Sequence, residues 1–463
     1  MTEQLKLKLN DSKATRWGAL VIVAFTMMAA YYVNDVVAPL KTMLETDLAW
    51  SSTDFGFFTG GYSFLNVFFL MLIWGGLILD RFGIRFTGKL ATILMVGGTA
   101  LEYYAMTGLA GADATLFGIN EIFGYKTGVF VAFAGYSIFG VGAEVAGITV
   151  SKIIAKWFKG KELATAMGVQ VALARIGSQA GYAVAIPLAR AFGISTPVLL
   201  GLVLLLGGMI AFFVFAVMDK KLDKQMEAAD IAAGTEDEEE KFSFKDVKNI
   251  LVNPGFWLIA LLCVLFYSCV FPFQKFASEL MIIKYGINEN VAGTFAGLPA
   301  LGALILTPVF GGFIDKRGKS ASIMLLGSAM LICVHFIYAI PDINYWLVAI
   351  VLMIILGIAF SLVPSAMWPA VAKIFPVSQL GTAYALIFFI QNIGLWGIPT
   401  LIGWVLDAYC ISGKKPDGTN MYDYTVPMCI FTGIACLSLI VALLLKKADK
   451  KYGYKLEEPN IQK

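Results

Sequence analysis

The sequence predicts an all-α membrane protein: twelve transmembrane helices in two pseudo-symmetric six-helix bundles. Three observations carry this reading: a composition suited to lipid, a series of long apolar runs, and a loop motif repeated half a chain apart. Of 463 residues, 59% are hydrophobic and 14% charged, whereas roughly a quarter of a soluble domain is charged. The formal net charge is only +3, which gives no basic footprint for nucleic acid. Six cysteines without a C-x-x-C pair exclude a disulfide framework or a zinc site, and no cofactor or metal is expected. The first sixteen residues are polar and carry no cleavable signal pattern.

A helix needs about twenty apolar residues to cross the hydrocarbon core. Runs of that kind lie at 17–40, 54–79, 86–109, 127–157, 162–189, 196–218, 255–283, 291–314, 320–340, 344–374, 378–409 and 424–446. Interruptions such as Pro272, Pro299, Pro364 and Pro369 are tolerated in lipid where neighbouring helices satisfy the freed backbone. Threaded from an N-terminus on the inside, 27 of the 35 Lys and Arg fall on that side, seven on the other, and Arg175 inside a span. That bias places both termini in the cytoplasm. The expected segments are a cytoplasmic N-terminus (1–16), a first bundle (17–218), a cytoplasmic linker (219–254), a second bundle (255–446) and a cytoplasmic tail (447–463). The linker carries the acidic run Glu236 to Glu240 and reads as a solvated hinge.

Two charges stand out inside the spans. Glu144 lies thirteen residues before Trp157, and Arg175 fourteen after Lys161, so each sits roughly 20 Å in from one shared basic turn. A bilayer is about 40–45 Å thick with its headgroups, which puts an anion and a cation near the midplane on adjacent antiparallel helices. Ionisable groups there default to a functional role. Small residues (Ser137, Gly140, Gly147, Ser151) flank Glu144, and Arg175 shares its face with Ser178, Gln179 and Tyr182. A structural ion pair locking two helices is the competing explanation.

The loop after the second span reads Gly76-Leu77-Ile78-Leu79-Asp80-Arg81-Phe82-Gly83-Ile84-Arg85, and the loop after the eighth reads Gly311-Gly312-Phe313-Ile314-Asp315-Lys316-Arg317-Gly318. Both fit G-x-x-x-D-[RK]-x-G, 235 residues apart, as an internal six-plus-six repeat requires. This resembles the signature loop of the major facilitator superfamily. Gly76 and Gly311 are expected to admit a neighbouring helix closely. Asp80 is expected to sit at the N-terminus of the eleventh span near Ser378, and Asp315 at that of the fifth near Lys161, each a latch to the opposite half; Arg81, Arg85 and Lys316 are further gating candidates of the same loops.

A narrower resemblance rests on Trp157-Phe158-Lys159-Gly160-Lys161-Glu162-Leu163, Ala174-Arg175-Ile176-Gly177-Ser178, Met367-Trp368-Pro369, Gln379-Leu380-Gly381-Thr382-Ala383-Tyr384 and Ile390-Gln391-Asn392-Ile393-Gly394. These are similar to the branch of the superfamily known for lysosomal dipeptide transport. The resemblance implies a dipeptide carried by uniport, its two ends met by an acid and an arginine, here Glu144 and Arg175. An acidic dileucine signal and an outward-facing glycosylation sequon are both absent, which points to a bacterial-type cell membrane rather than a lysosome.

The remaining candidates follow from depth and residue type. Gln391 and Asn392 lie mid-span in the eleventh run and suit a peptide amide; Tyr267 and Trp368 are candidate walls, and Gln179 and Tyr31 candidate lining. Asp35, nearer the outer mouth, is a candidate gate residue, with an ordinary helix-end carboxylate as the alternative. Glu102 carries less weight, and His335 reads as a packing histidine. The function expected is therefore alternating-access transport of a small zwitterion, by a monomer in the bilayer. An organic-anion, amino-acid or drug porter, proton-coupled or exchanging, is the alternative, and a non-transporting sensor the rival of another class. No H-E-x-x-H or G-x-S-x-G motif supports an enzyme.

Overall fold

A computed structural model describes residues 8–111, 114–158, 161–233 and 244–460. Helices dominate. In the first half they are α1 (Lys13–Val36), α2 (Lys41–Leu48), α3 (Ser52–Phe68), α4 (Met71–Thr107), α5 (Thr127–Trp157), α6 (Leu163–Phe192) and α7 (Thr196–Ala233). The second half has α8 (Phe244–Val252), α9 (Pro254–Tyr285), α10 (Glu289–Ala296), α11 (Leu298–Arg317), α12 (Ser320–Ala339), α13 (Trp346–Ile374), α14 (Val377–Tyr409) and α15 (Thr425–Tyr452). Two hairpins, β1 (Glu121–Ile122) with β2 (Tyr125–Lys126) and β3 (Ile411–Lys414) with β4 (Asn420–Tyr422), close loops between helices.

Among the described residues, nine helices are long and apolar enough to cross a membrane, and the α3–α4 pair, bent by 58°, makes a tenth. The difference from the predicted twelve has two local causes. Gly83 breaks α4 with φ 74° and ψ 174°, so this one element holds the end of the second expected run and all of the third. Glycine adopts that backbone freely, whereas an L side chain resists it. The other cause is α6, absent from the qualifying set, where Arg175, Ser178 and Gln179 dilute the apolar run. The second run is also not one straight helix: α3 ends at Phe68 and the chain turns through Leu70 at φ 54°. The expected linker is partly helical, since α7 continues to Ala233 and α8 follows. The acidic run Glu236 to Glu240 lies outside the described residues.

The packing repeats itself. In the first half α1 lies against α6 and α7, α4 against α5 and α7, and α3 against α5; in the second α9 lies against α14 and α15, α12 against α13 and α15, and α11 against α13. Offset by six passes, these are the same pairings, as an internal duplication demands. The halves meet where α3 packs on α14 and where α6 packs on α10 and α11. Outward faces stay apolar, as with Val203, Ile210, Val214 and Val217 on α7 and Leu437, Ile440 and Leu444 on α15, the arrangement a lipid solvent favours.

Both chain ends pack at one end of the bundle, here the terminal end. Arg16 pairs with Glu162 at 2.9 Å and Lys161 with Asp11 at 2.9 Å, while Lys319 and Ser320 donate backbone N–H groups to Glu457 and Leu456. The opposite end is the distal end. Lys161 holds the Asp11 carboxyl below the usual range, with Lys8 adding to the effect. A lowered carboxyl pKa contributes stability that is present above the unfolded value, about 3.9, and is lost as pH falls through the folded value. Hydrogen exchange over residues 8–16, corrected for intrinsic rate, should therefore be steady from neutral pH to about pH 4 and rise below it, with Asp11→Asn raising it already at pH 7.

Close helix approach around the midplane depends on glycine. A Cβ on Gly140 would overlap the Tyr62 carbonyl oxygen, and one on Gly177 the Met28 carbonyl oxygen. Neither backbone can yield without separating α3 from α5 or α1 from α6. Gly140→Val and Gly177→Val should each destabilise the first bundle by about 1–3 kcal/mol or more, read as a lowered melting temperature of purified protein.

Candidate substrate site and distal closure

Glu144 on α5 and Arg175 on α6 are both half-buried and form no ion pair with each other. The Glu144 carboxylate accepts a hydrogen bond from the Tyr62 hydroxyl at 2.9 Å. Tyr62 reaches it because Gly140, one turn before Glu144, lets α3 come down onto α5. The Arg175 guanidinium lies over two aromatic rings, Tyr31 of α1 at 5.5 Å and Phe360 of α13 at 4.9 Å. No carboxylate of the described residues pairs with it. Tyr31 is within Coulombic range of Arg175, Glu144 and Asp35 together, so the charges sit around one tyrosine.

The second half supplies an aromatic wall. Tyr267 stacks on Phe271 with ring centroids 5.5 Å apart, and both meet Phe360 edge-on. Trp368 stacks on Phe388 at 4.8 Å, and the Tyr384 hydroxyl donates to its carbonyl at 3.0 Å. Gln391 accepts a weak hydrogen bond from Cys263 Sγ at 3.4 Å, one turn from Tyr267. Glu144, Arg175, Tyr31, Tyr267 and Trp368 are thus gathered at the interface of the halves, with Gln391 behind them.

Two expected lining residues lie elsewhere. Gln179 donates to the Thr294 carbonyl at 3.3 Å and lies over Gly297, which makes it a contact between α6 and α10–α11. It points there because Gly297 leaves the room a side chain would fill. Asn392 is 2% exposed and its amide donates to the Phe388 carbonyl of its own helix, which engages it within α14.

The signature-loop residues differ from expectation. Asp80 pairs with Lys152 at 3.2 Å, and Asp315 accepts from Asn460 of the tail at 2.8 Å; both partners belong to the same half. Arg85 pairs with Asp219 and Asp223 on α7, Arg81 lies over the ring of Phe82, and Lys316 is exposed. A Cβ on Gly76 or Gly311 would meet open space, whereas one on the adjacent Gly75 would strike Val145. Among the described residues, Asp80 and Asp315 therefore make no hydrogen bond or ion pair across the halves.

The distal end is closed by charge. Among the described residues, the ion pairs that join the two halves all lie there. Asp35 pairs with Lys275 of α9 at 3.2 Å, and the same ammonium donates to the Asn34 carbonyl at 2.6 Å. Lys41 lies between Glu45 and Glu279 at 2.5 Å each, with Lys415 at 3.7 and 3.8 Å from the same two carboxylates. Tyr424 donates to Glu279, and Arg190 pairs with Glu289. Backbone N–H groups of Ser52 and Thr53 donate to Asp407 at 3.3 and 2.6 Å. Gly56 and Gly403 let α3 and α14 touch backbone to backbone. Lys41, Lys275 and Lys415 read from sequence as outer-loop cations, and Glu45 and Glu279 gave no signal. Only the fold reveals that these charges are buried opposite one another.

The sequence matches the family model described as Major Facilitator Superfamily over residues 20–399 and 276–458. It is 29% identical over 454 residues to the lysosomal dipeptide transporter MFSD1 of Homo sapiens, with 95% of this chain and 88% of that protein covered. Its fold is similar to that of a mutant form of the nucleoside transporter NupG, with a TM-score of 0.68 at 12% identity over 92% of this chain and 98% of the other. The inward-open xylose transporter XylE from E. coli gives 0.64 at 15% identity over 93% and 96%. Likeness at such low identity concerns the fold alone. On the extent of the family match, this chain belongs to the Major Facilitator Superfamily.

Proposed function

We propose that the protein carries dipeptides or closely similar zwitterions across the cell membrane by uniport, its two bundles alternating access to one site. The observation that carries the reading is the pair of half-buried, mutually unpaired charges at the interface of the halves. Arg175 takes the substrate carboxylate through its planar fork, and Glu144, oriented by Tyr62, takes the ammonium. Tyr267 and Trp368 form the opposite wall, with Gln391 behind them. The named human relative supports dipeptide as the class, and the inside bias of Lys and Arg supports cytoplasmic termini. An organic-anion porter is the second reading, favoured by the absence of a carboxylate partner on Arg175 among the described residues.

Binding separates the two. A free dipeptide should raise the melting temperature of the purified protein, and N-acetylation and C-terminal amidation should each reduce the shift. Glu144→Gln and Arg175→Ala should each weaken binding at least about tenfold, the scale of losing one charge-assisted contact. Undiminished binding of the N-acetylated peptide would favour the anion reading, and unchanged shifts in both variants would move the site elsewhere.

The distal charge cluster acts in this scheme as the gate. Glu279→Gln leaves Lys41 and Lys415 facing one carboxylate, and stripping one partner from a buried ion pair costs about 3–5 kcal/mol. The distal-open population should rise. In a cysteine-free background carrying Ser52→Cys, buried at the seam, an impermeant maleimide should label the Glu279→Gln protein faster than its parent. Equal rates would remove the cluster from the gate.

A further inference from the structure

Arg175 belongs to the first half, yet the nearer of its two aromatic contacts, Phe360, comes from the second. Phe360 stands mid-way along α13, is 2% exposed, and has its ring held edge-on by Tyr267 at 6.2 Å and Phe271 at 5.3 Å. Those two rings stack on each other at 7°. The Phe360 ring is thus fixed by its own half, and the flexible arginine side chain comes to it.

An arginine that stacks on a ring presents the face of its guanidinium and is held by the ring quadrupole. The five N–H donors of arginine lie in the guanidinium plane, so contact with a ring face leaves them available. A carboxylate in place of Phe360 would consume those donors and compete with a ligand. A ring holds the cation without occupying the fork. Tyr31 makes the corresponding contact from the first half.

We infer that Phe360 is a positioning residue through which the second half orients the Arg175 fork towards the carboxylate of a bound substrate. This rests on the reading of Arg175 as the carboxylate-binding group. Substrate affinity then depends on both halves, although both formal charges sit in one.

The test uses full-length purified protein and Ala-Ala as probe, with its C-terminal amide for comparison. Phe360→Leu keeps bulk and removes the ring face. It should raise the Kd for Ala-Ala about fivefold, within the range expected of a cation–π contact, and leave the weaker binding of the amide unchanged. Phe360→Tyr and Phe360→Trp should return the Kd to within about twofold of the parent, because either ring restores the contact. A merely structural role would move acid and amide alike. An unchanged Kd in Phe360→Leu, with Arg175→Ala still abolishing binding, would overturn the assignment of Phe360 and leave the site intact. Failure of Arg175→Ala to matter would overturn the underlying reading as well.

Discussion

A guanidinium in an apolar helical bundle must be satisfied by something. Arg175 lies over two aromatic rings and pairs with no carboxylate among the described residues. A buried arginine paired with Glu144 would be a strut between two helices, stable and inert. Held over Tyr31 and Phe360, it is proposed to keep its hydrogen-bonding edge for a ligand. Glu144 is treated similarly: one hydroxyl, from Tyr62, orients it without neutralising it. The first half thus offers two separated opposite charges, and the second faces them with rings and one amide.

Charge is used differently at the distal end. There the carboxylates of Glu45 and Glu279 share Lys41 and Lys415, and Asp35 meets Lys275. These charges are buried with compensation from both halves, so separation of the halves exposes each to water. Each pair offsets part of its own desolvation cost, and removing either partner would strand a buried charge. The glycine contact of Gly56 with Gly403 lets that closure be tight. The terminal end, with Asp80 and Asp315 bound inside their own halves, completes one asymmetric state of a symmetric framework.

Much of this was legible in the sequence because lipid imposes simple rules. Apolar runs and a repeated motif led to a duplicated helical membrane fold, and depth along a helix led to Glu144 and Arg175 as candidates. What was illegible depends on contacts between residues far apart in the chain. Tyr62 and Phe360 look like ordinary apolar-run aromatics until α3 and α13 are folded beside the charges. Lys275 and Glu279 sit near a helix end, where loop cations and anions are common, and nothing local marks them as partners of Asp35 and Lys41. The cross-half partners expected for the signature-loop aspartates are absent among the described residues, where Asp80 and Asp315 hold Lys152 and Asn460 instead. Depth alone places Gln179 in the site, but the room above Gly297 draws it to a helix seam.

The central claim is that Arg175 and Glu144 grip the two ends of one molecule. An experimental structure of the protein with Ala-Ala bound tests it most directly. The account predicts the peptide carboxylate edge-on to the Arg175 guanidinium, with Phe360 still against its face, and the peptide ammonium on Glu144 beside Tyr62. Peptide density away from both side chains, or an ion pair formed between them in the bound state, would contradict it.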